Sequence, residues 1–181
     1  ASHPIVYDVD CIRDGGSFTT RRVVAIQGGR AIFNLAASFQ KTESGFDHHD
    51  VMPEVRGPED LLSQRELALK HIDKIPEPFR ERATCVRPIE ERPIGPVDLL
   101  NPKKREPSRC VWYRTIGKLP DVPSIHQYLL AYASDFNLLG SSMLPHGVSW
   151  VTPGMQVASL DHAMWFHRPF RMDEWLLYAI D

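Results

Sequence analysis

Cysteine is scarce in this sequence: Cys11, Cys85 and Cys110 are the only three among 181 residues. They are odd in number, far apart and never in the C-x-x-C spacing that chelates zinc, which argues against a disulfide scaffold or a zinc module and suggests a reducing compartment. An excess of charge of one sign is also lacking. The 21 Lys and Arg against 23 Asp and Glu leave a formal net charge of −2, too little basic excess for nucleic acid or an anionic membrane to be expected as the main partner. No run approaches the ~20 apolar residues of a membrane span, and Ala1 to Asp10 has neither the basic start nor the apolar core of a signal peptide. A cytoplasmic or organelle-matrix enzyme is expected. What is present is 43% apolar side chains, enough to bury one good core or two small sheet modules.

From Pro4 to Gln40 the pattern has period two, through Ile5, Tyr7 and Val9, then Phe18, Thr20, Val24 and Ile26, then Ala31, Phe33, Leu35 and Phe39. This predicts three strands in an antiparallel meander, with Asp14-Gly15-Gly16 and Gln27-Gly28-Gly29 at the hairpins, where glycine tolerates positive φ. From Lys41 to Ser108 the texture turns charged and Pro-rich, which cannot form a regular sheet interior. Residues 41–108 therefore read as a linker, with a short helix over Glu59–Ile75 marked by Leu62, Leu69 and Ile72. Residues 109–181 read as strand, helix, strand, strand. Arg109–Gly117 is the first strand, with Val111, Tyr113 and Thr115 on one face. A helix follows from an N-cap at Ser124, with the stripe Ile125, Leu129, Tyr132, Phe136 and Leu139, ended by Gly140. Met155–Arg168 reads as a long strand and Glu174–Asp181 as another. The last strand runs to the final residue and the opening meander has no helix of its own, so the chain is expected to be cut at both ends.

Strand alternation would put Asp161 on one face with Met155, Val157, Ser159, Ala163 and Trp165, and His162 on the other. A carboxylate among apolar neighbours is costly to desolvate, by several kcal/mol (~), so it must find donors, a partner or a proton. Asp161 is therefore a candidate general base. The competing reading is a structural ion pair with Arg168 or Arg171. By the same parity His162 and His167 lie on opposite faces, which argues against joint metal ligation and favours structural roles for both.

The run Leu160-Asp161-His162-Ala163-Met164-Trp165-Phe166-His167-Arg168-Pro169-Phe170, followed by Glu174-Trp175-Leu176-Leu177-Tyr178, resembles the signature of the acyl-CoA thioesterase II family and its peroxisomal relatives. His126-Gln127-Tyr128-Leu129-Leu130-Ala131-Tyr132-Ala133-Ser134-Asp135 is similar to that family's second central helix. Arg13-Asp14-Gly15-Gly16-Ser17-Phe18 and Ala36-Ala37-Ser38-Phe39-Gln40 are similar to its first-module strands. The resemblance implies an α+β double hotdog, in which antiparallel curled sheets each wrap around a central helix, here truncated at both ends. Residues 1–40 would be a partial first module and 109–181 a partial second. It implies hydrolysis of fatty acyl-CoA to free acid and coenzyme A, with no cofactor beyond the coenzyme A of the substrate. It also adds the peroxisomal matrix as an alternative to the cytoplasm. The family's active site combines an aspartate, matching Asp161, with a hydroxyl residue and a glutamine from later strands that have no counterpart here. The isolated polypeptide is accordingly expected to be inactive.

Thioester hydrolysis needs a positioned water, a base and oxyanion donors. No G-x-S-x-G elbow or Ser-His-Asp order occurs, so direct attack by water activated by Asp161 is more economical than an acyl-enzyme. The helix N-terminus at Ser124–Tyr128 is the one nameable source of oxyanion N–H groups. His162, Trp165, His167 and Arg168 would frame Asp161. Asp135 is expected to make a structural hydrogen bond, while His126 would be the base if the protein were instead a hotdog dehydratase. His48 and His49 read as solvated, and Lys103-Lys104-Arg105 as solvated surface or a phosphate contact. A non-catalytic acyl-CoA-binding scaffold is the alternative of a different class. Homo-oligomerisation is expected from sheet edges and from Trp112, Trp150, Trp165 and Trp175.

Overall fold

The computed structural model describes residues 3–181 and divides into two compact units, residues 1–51 and 52–181. In the first, β1 (Val6–Asp14), β2 (Phe18–Gln27) and β3 (Arg30–Gln40) form an antiparallel meander in the order β1-β2-β3. The alternating pattern thus yields the three strands it predicts. The two glycine hairpins work differently. Gly28 and Gly29 take φ of 57° and 74°, the pair of positive angles that a two-residue turn between twisted strands needs. At the other hairpin a Cβ on Gly15 would lie 2.8 Å from the Phe18 carbonyl oxygen, so close approach, rather than positive φ, requires glycine there. Among the described residues of this unit no helix covers the sheet, and Val6, Tyr7, Ile12, Phe18, Phe33 and Phe39 are exposed.

The second unit begins with helical turns. Ser63 caps α1 (Gln64–Lys70): its hydroxyl accepts from the Glu66 N–H and its own N–H donates to the Glu66 carboxylate, a reciprocal pair that satisfies two otherwise unpaired donors. The predicted helix over Glu59–Ile75 is this shorter α1 between two 3-10 turns, Pro58–Asp60 and Ile72–Lys74. The Pro-rich stretch holds more order than its composition suggests. It also carries α2 (Glu77–Thr84) and β4 (Ile89–Ile94). Pro93 pairs with Val111 in register, which the sheet tolerates because β4 is an edge in the order β4-β5-β6.

β5 (Arg109–Thr115) is central and β6 (Leu176–Ile180) flanks it, both antiparallel. As alternation predicts, Val111, Tyr113 and Thr115 are buried. Across this face lies α3 (Pro123–Ala133), packing Leu129, Leu130 and Ala133 against Ile89, Val111, Tyr113 and Met172. Burying one such large side chain contributes on the order of 1.5–3 kcal/mol, so this cluster anchors the unit.

Three sequence expectations fail here. The helix starts at Pro123 with Val122 as N-cap, rather than at Ser124. It does not run unbroken to Gly140: Ser134–Asn137 turns, Asn137 sits in the left-handed region at φ 64°, and a separate helix α4 (Leu138–Met143) follows. Ser134, Asp135 and Asn137, with only Phe136 between them, favour local hydrogen bonds over helix continuation, and Asn tolerates that backbone. Finally, Met155–Arg168 forms no strand. Alternation alone does not make one, because a strand needs a neighbour for its backbone N–H and C=O groups.

Candidate functional site

With no strand over Met155–Arg168, the parity that separated Asp161 from His162 does not apply, and Asp161 is exposed rather than set among apolar neighbours. Its surroundings come from the segment where α3 ends. Ser134, buried at the C-cap of α3, places its Oγ 2.9 Å from His162 Nε2, and the same hydroxyl donates to the Ala131 carbonyl at 2.8 Å. One residue on, Asp135 Oδ1 accepts from Ser159 Oγ at 3.4 Å. Two side-chain contacts thus hold the chain on either side of Leu160-Asp161. Asp135, Asn137, Trp150, Val157 and Ser159 line an adjoining cleft of about 210 Å³.

Beside this segment lies a half-buried polar network centred on the buried Tyr113. Tyr113 Oη donates to the Phe136 carbonyl at 3.1 Å and accepts from Asn137 Nδ2 at 2.8 Å. Asn137 Nδ2 also donates to Glu91 Oε2 at 2.8 Å. Tyr178 Oη donates to the Ser134 carbonyl at 2.8 Å, so β5 and β6 both grip the turn that carries Ser134 and Asp135. Burial pushes the Tyr113 phenol well above its ordinary value. Burial, and secondarily the Asp135 charge, raises that of Tyr178. Both hydroxyls stay protonated and serve as donors.

The other sequence candidates are dispersed. Trp165 is 73% exposed, and His167 and Arg168 are exposed as well. Phe166 stacks on Phe170, with centroids 6.3 Å apart. Arg171, one partner considered for Asp161, is instead bound to Asp121 at 2.8 Å and Asp173 at 3.0 Å. His126 is 2% exposed, and its Nδ1 accepts the Met172 N–H at 3.0 Å. The α3 N-terminus does not adjoin Ser134, since 11 residues of helix separate the two by about 16 Å. His48, His49 and Lys103–Arg105 are exposed. Ser134, Asn137 and Ser159 were not anticipated from the sequence. The one local sign of them is the Ser-Asp-Phe-Asn break in an apolar stripe. Among the described residues no group of three His, Cys, Asp or Glu side chains could hold a metal ion, and no helix is long and apolar enough to cross a membrane.

A three-stranded antiparallel sheet packs on α3, and comparison with known proteins gives the class. The family model described as acyl-CoA thioesterase matches residues 79–181, more than half of the chain, and the chain belongs to that family. It is 38% identical to acyl-CoA thioesterase 2 of Haemophilus influenzae over 181 residues, covering 100% of this chain and 63% of that one. It is 37% identical to human acyl-coenzyme A thioesterase 8, covering 98% and 58%. Among solved structures it is similar to acyl-CoA thioesterase II TesB2 from Mycobacterium marinum, at TM-score 0.68 and 42% identity over 97% of this chain and 60% of that one. The chain spans about three fifths of the length of these relatives. The α+β hotdog fold expected from the resemblance is borne out. The described residues contain two three-stranded antiparallel sheets, of which the second carries its helix, α3.

Proposed function

We propose that the protein hydrolyses fatty acyl-CoA thioesters to free fatty acid and coenzyme A, with Asp161 as the base. Membership of the acyl-CoA thioesterase family carries this reading. The exposure of Asp161, two residues after Ser159 of the cleft wall and with neighbours bonded to Ser134 and Asp135, supports its part in it. An exposed carboxylate is reachable by water and substrate. It would take a proton from water as the water oxygen bonds to the thioester carbon. The C–S bond then breaks, and the departing thiolate receives that proton. No redox change or acyl-enzyme is involved, and no cofactor is called for. The oxyanion needs donors other than the α3 N-terminus, which lies at the opposite end of the helix from Ser134.

Thiol release from a long-chain acyl-CoA by the full-length protein tests this: Asp161→Asn should lower kcat by at least about 100-fold. An unchanged rate refutes the assignment, and saturable acyl-CoA binding by the wild type with no thiol release would favour the scaffold reading. Dehydration has less support, because His126, the base it requires, is enclosed in the core with Nδ1 already engaged. We further propose self-association in the cytoplasm or the peroxisomal matrix. Trp150 and Trp165 are exposed for such contact. Trp112 and Trp175 are used internally: each donates its Nε1–H, to the Arg56 carbonyl and to Glu59, and Arg92 and Arg114 lie over the Trp175 ring.

A further inference from the structure

His162 adjoins the proposed base in sequence, and the protonation of its ring follows from the geometry around Ser134. The Ser134 hydroxyl has one proton. Its Oγ lies 2.8 Å from the Ala131 carbonyl oxygen, an acceptor with no hydrogen of its own. Two oxygens at that separation require a proton between them, so the hydroxyl is committed as donor to Ala131. Toward His162 Nε2, 2.9 Å away, it can only accept. This arrangement fits the His162 tautomer with hydrogen on Nε2. Ser134 is itself fixed: its side chain is buried at the helix C-cap, its N–H donates to the Leu130 carbonyl at 2.8 Å, and its carbonyl accepts from Tyr178 at 2.8 Å.

We propose that Ser134 is a positioning residue for the reaction. By accepting the His162 Nε2–H it fixes the backbone at 161–162 and thereby sets where the Asp161 carboxylate stands relative to substrate. This rests on the reading of Asp161 as base. The reason the pin matters is local. Met155–Arg168 has no strand partner among the described residues, so side-chain bonds rather than a sheet ladder hold Asp161. The other tether, Ser159 to Asp135 at 3.4 Å, is long.

The test uses the full-length protein and four variants: Ser134→Ala, His162→Ala, their double, and His162→Gln, whose amide N–H reaches about as far as Nε2. Misplacing a catalytic group by about 1 Å can cost ~100-fold, so Ser134→Ala and His162→Ala should each lower kcat by about 10- to 100-fold with KM within about twofold. The double variant should be no worse than either single, and His162→Gln should recover to within about threefold of wild type. Imidazole 15N resonances should report the Nε2–H form in the wild type, and Ser134→Ala should shift both these and the Asp161 carboxyl resonance. Multiplicative losses in the double variant, a His162→Gln as impaired as His162→Ala, or a neutral Nδ1–H ring would each overturn the proposal. If the wild type releases no thiol, the thioesterase reading fails. The pin is then judged by the resonances alone, and an Asp161 signal unmoved by Ser134→Ala overturns it.

Discussion

Asn137 offers a measurement in which backbone and side-chain contributions separate. It holds the turn between α3 and α4 at φ 64° and ties it to both β4 and β5 through Glu91 and Tyr113. Replacing it by Gly keeps the left-handed backbone and deletes both bonds. Tyr113 retains the Phe136 carbonyl, so that loss is an ordinary one of about 1 kcal/mol. Glu91 is a harder case: its side chain is only 10% exposed, and Arg87 is 3.7 Å away. Losing a donor to such a carboxylate costs about 1.5 kcal/mol, the low end for a charged acceptor because the arginine remains. Asn137→Gly should therefore destabilise by about 2–3 kcal/mol, or about 10 °C in Tm at roughly 4 °C per kcal/mol. Asn137→Ala adds the cost of a Cβ in the left-handed region, about 1–2 kcal/mol, offset by ~0.4–1 kcal/mol from a less flexible unfolded chain. The alanine variant should thus be the less stable of the two by roughly 0.5–1 kcal/mol. Urea unfolding followed by tryptophan fluorescence gives both values, provided the m-values match. Asn137→Gly within about 0.5 kcal/mol of wild type would show the bonds to be worth nothing net. An alanine variant more stable than the glycine one would show that the left-handed conformation is not held.

His126→Ala leaves the Met172 N–H without an acceptor in the fully buried core. It should cost about 1–3 kcal/mol in the same unfolding assay, the new cavity being partly offset by removal of the unpaired Nε2. Asp173 is held at about 2, against an ordinary 3.8, by hydrogen bonding to Arg171 and then by the Leu119 N–H. A depressed carboxyl stabilises fully above its unfolded value and loses that contribution as pH falls through its folded one. Stability should therefore drop between pH 4 and 2, and Asp173→Asn should flatten that drop in acid unfolding followed by circular dichroism; an unchanged slope would refute the linkage. Asp161→Asn should leave Tm within about 2 °C of wild type, because surface substitutions shift stability little, while removing thiol release.

The sequence by itself determined whatever depends on neighbours in the chain. Alternation and the Gly28-Gly29 pair specify the meander, and β5 buries the face its pattern nominates. The long run around Asp161 identifies the family because it is a specific string of residues, whatever conformation it takes. Only the tertiary structure decided where Asp161 stands. Its surroundings are set by Ser134, 28 positions before His162, and by Asp135, 24 before Ser159. Ser134 caps α3 and Asp135 lies in the turn that follows, where Asn137 bonds to residues on two strands. Periodicity reports which face a residue would present if its element forms. Whether the element forms depends on partners for its backbone groups, and for Met155–Arg168 alternation could not supply them.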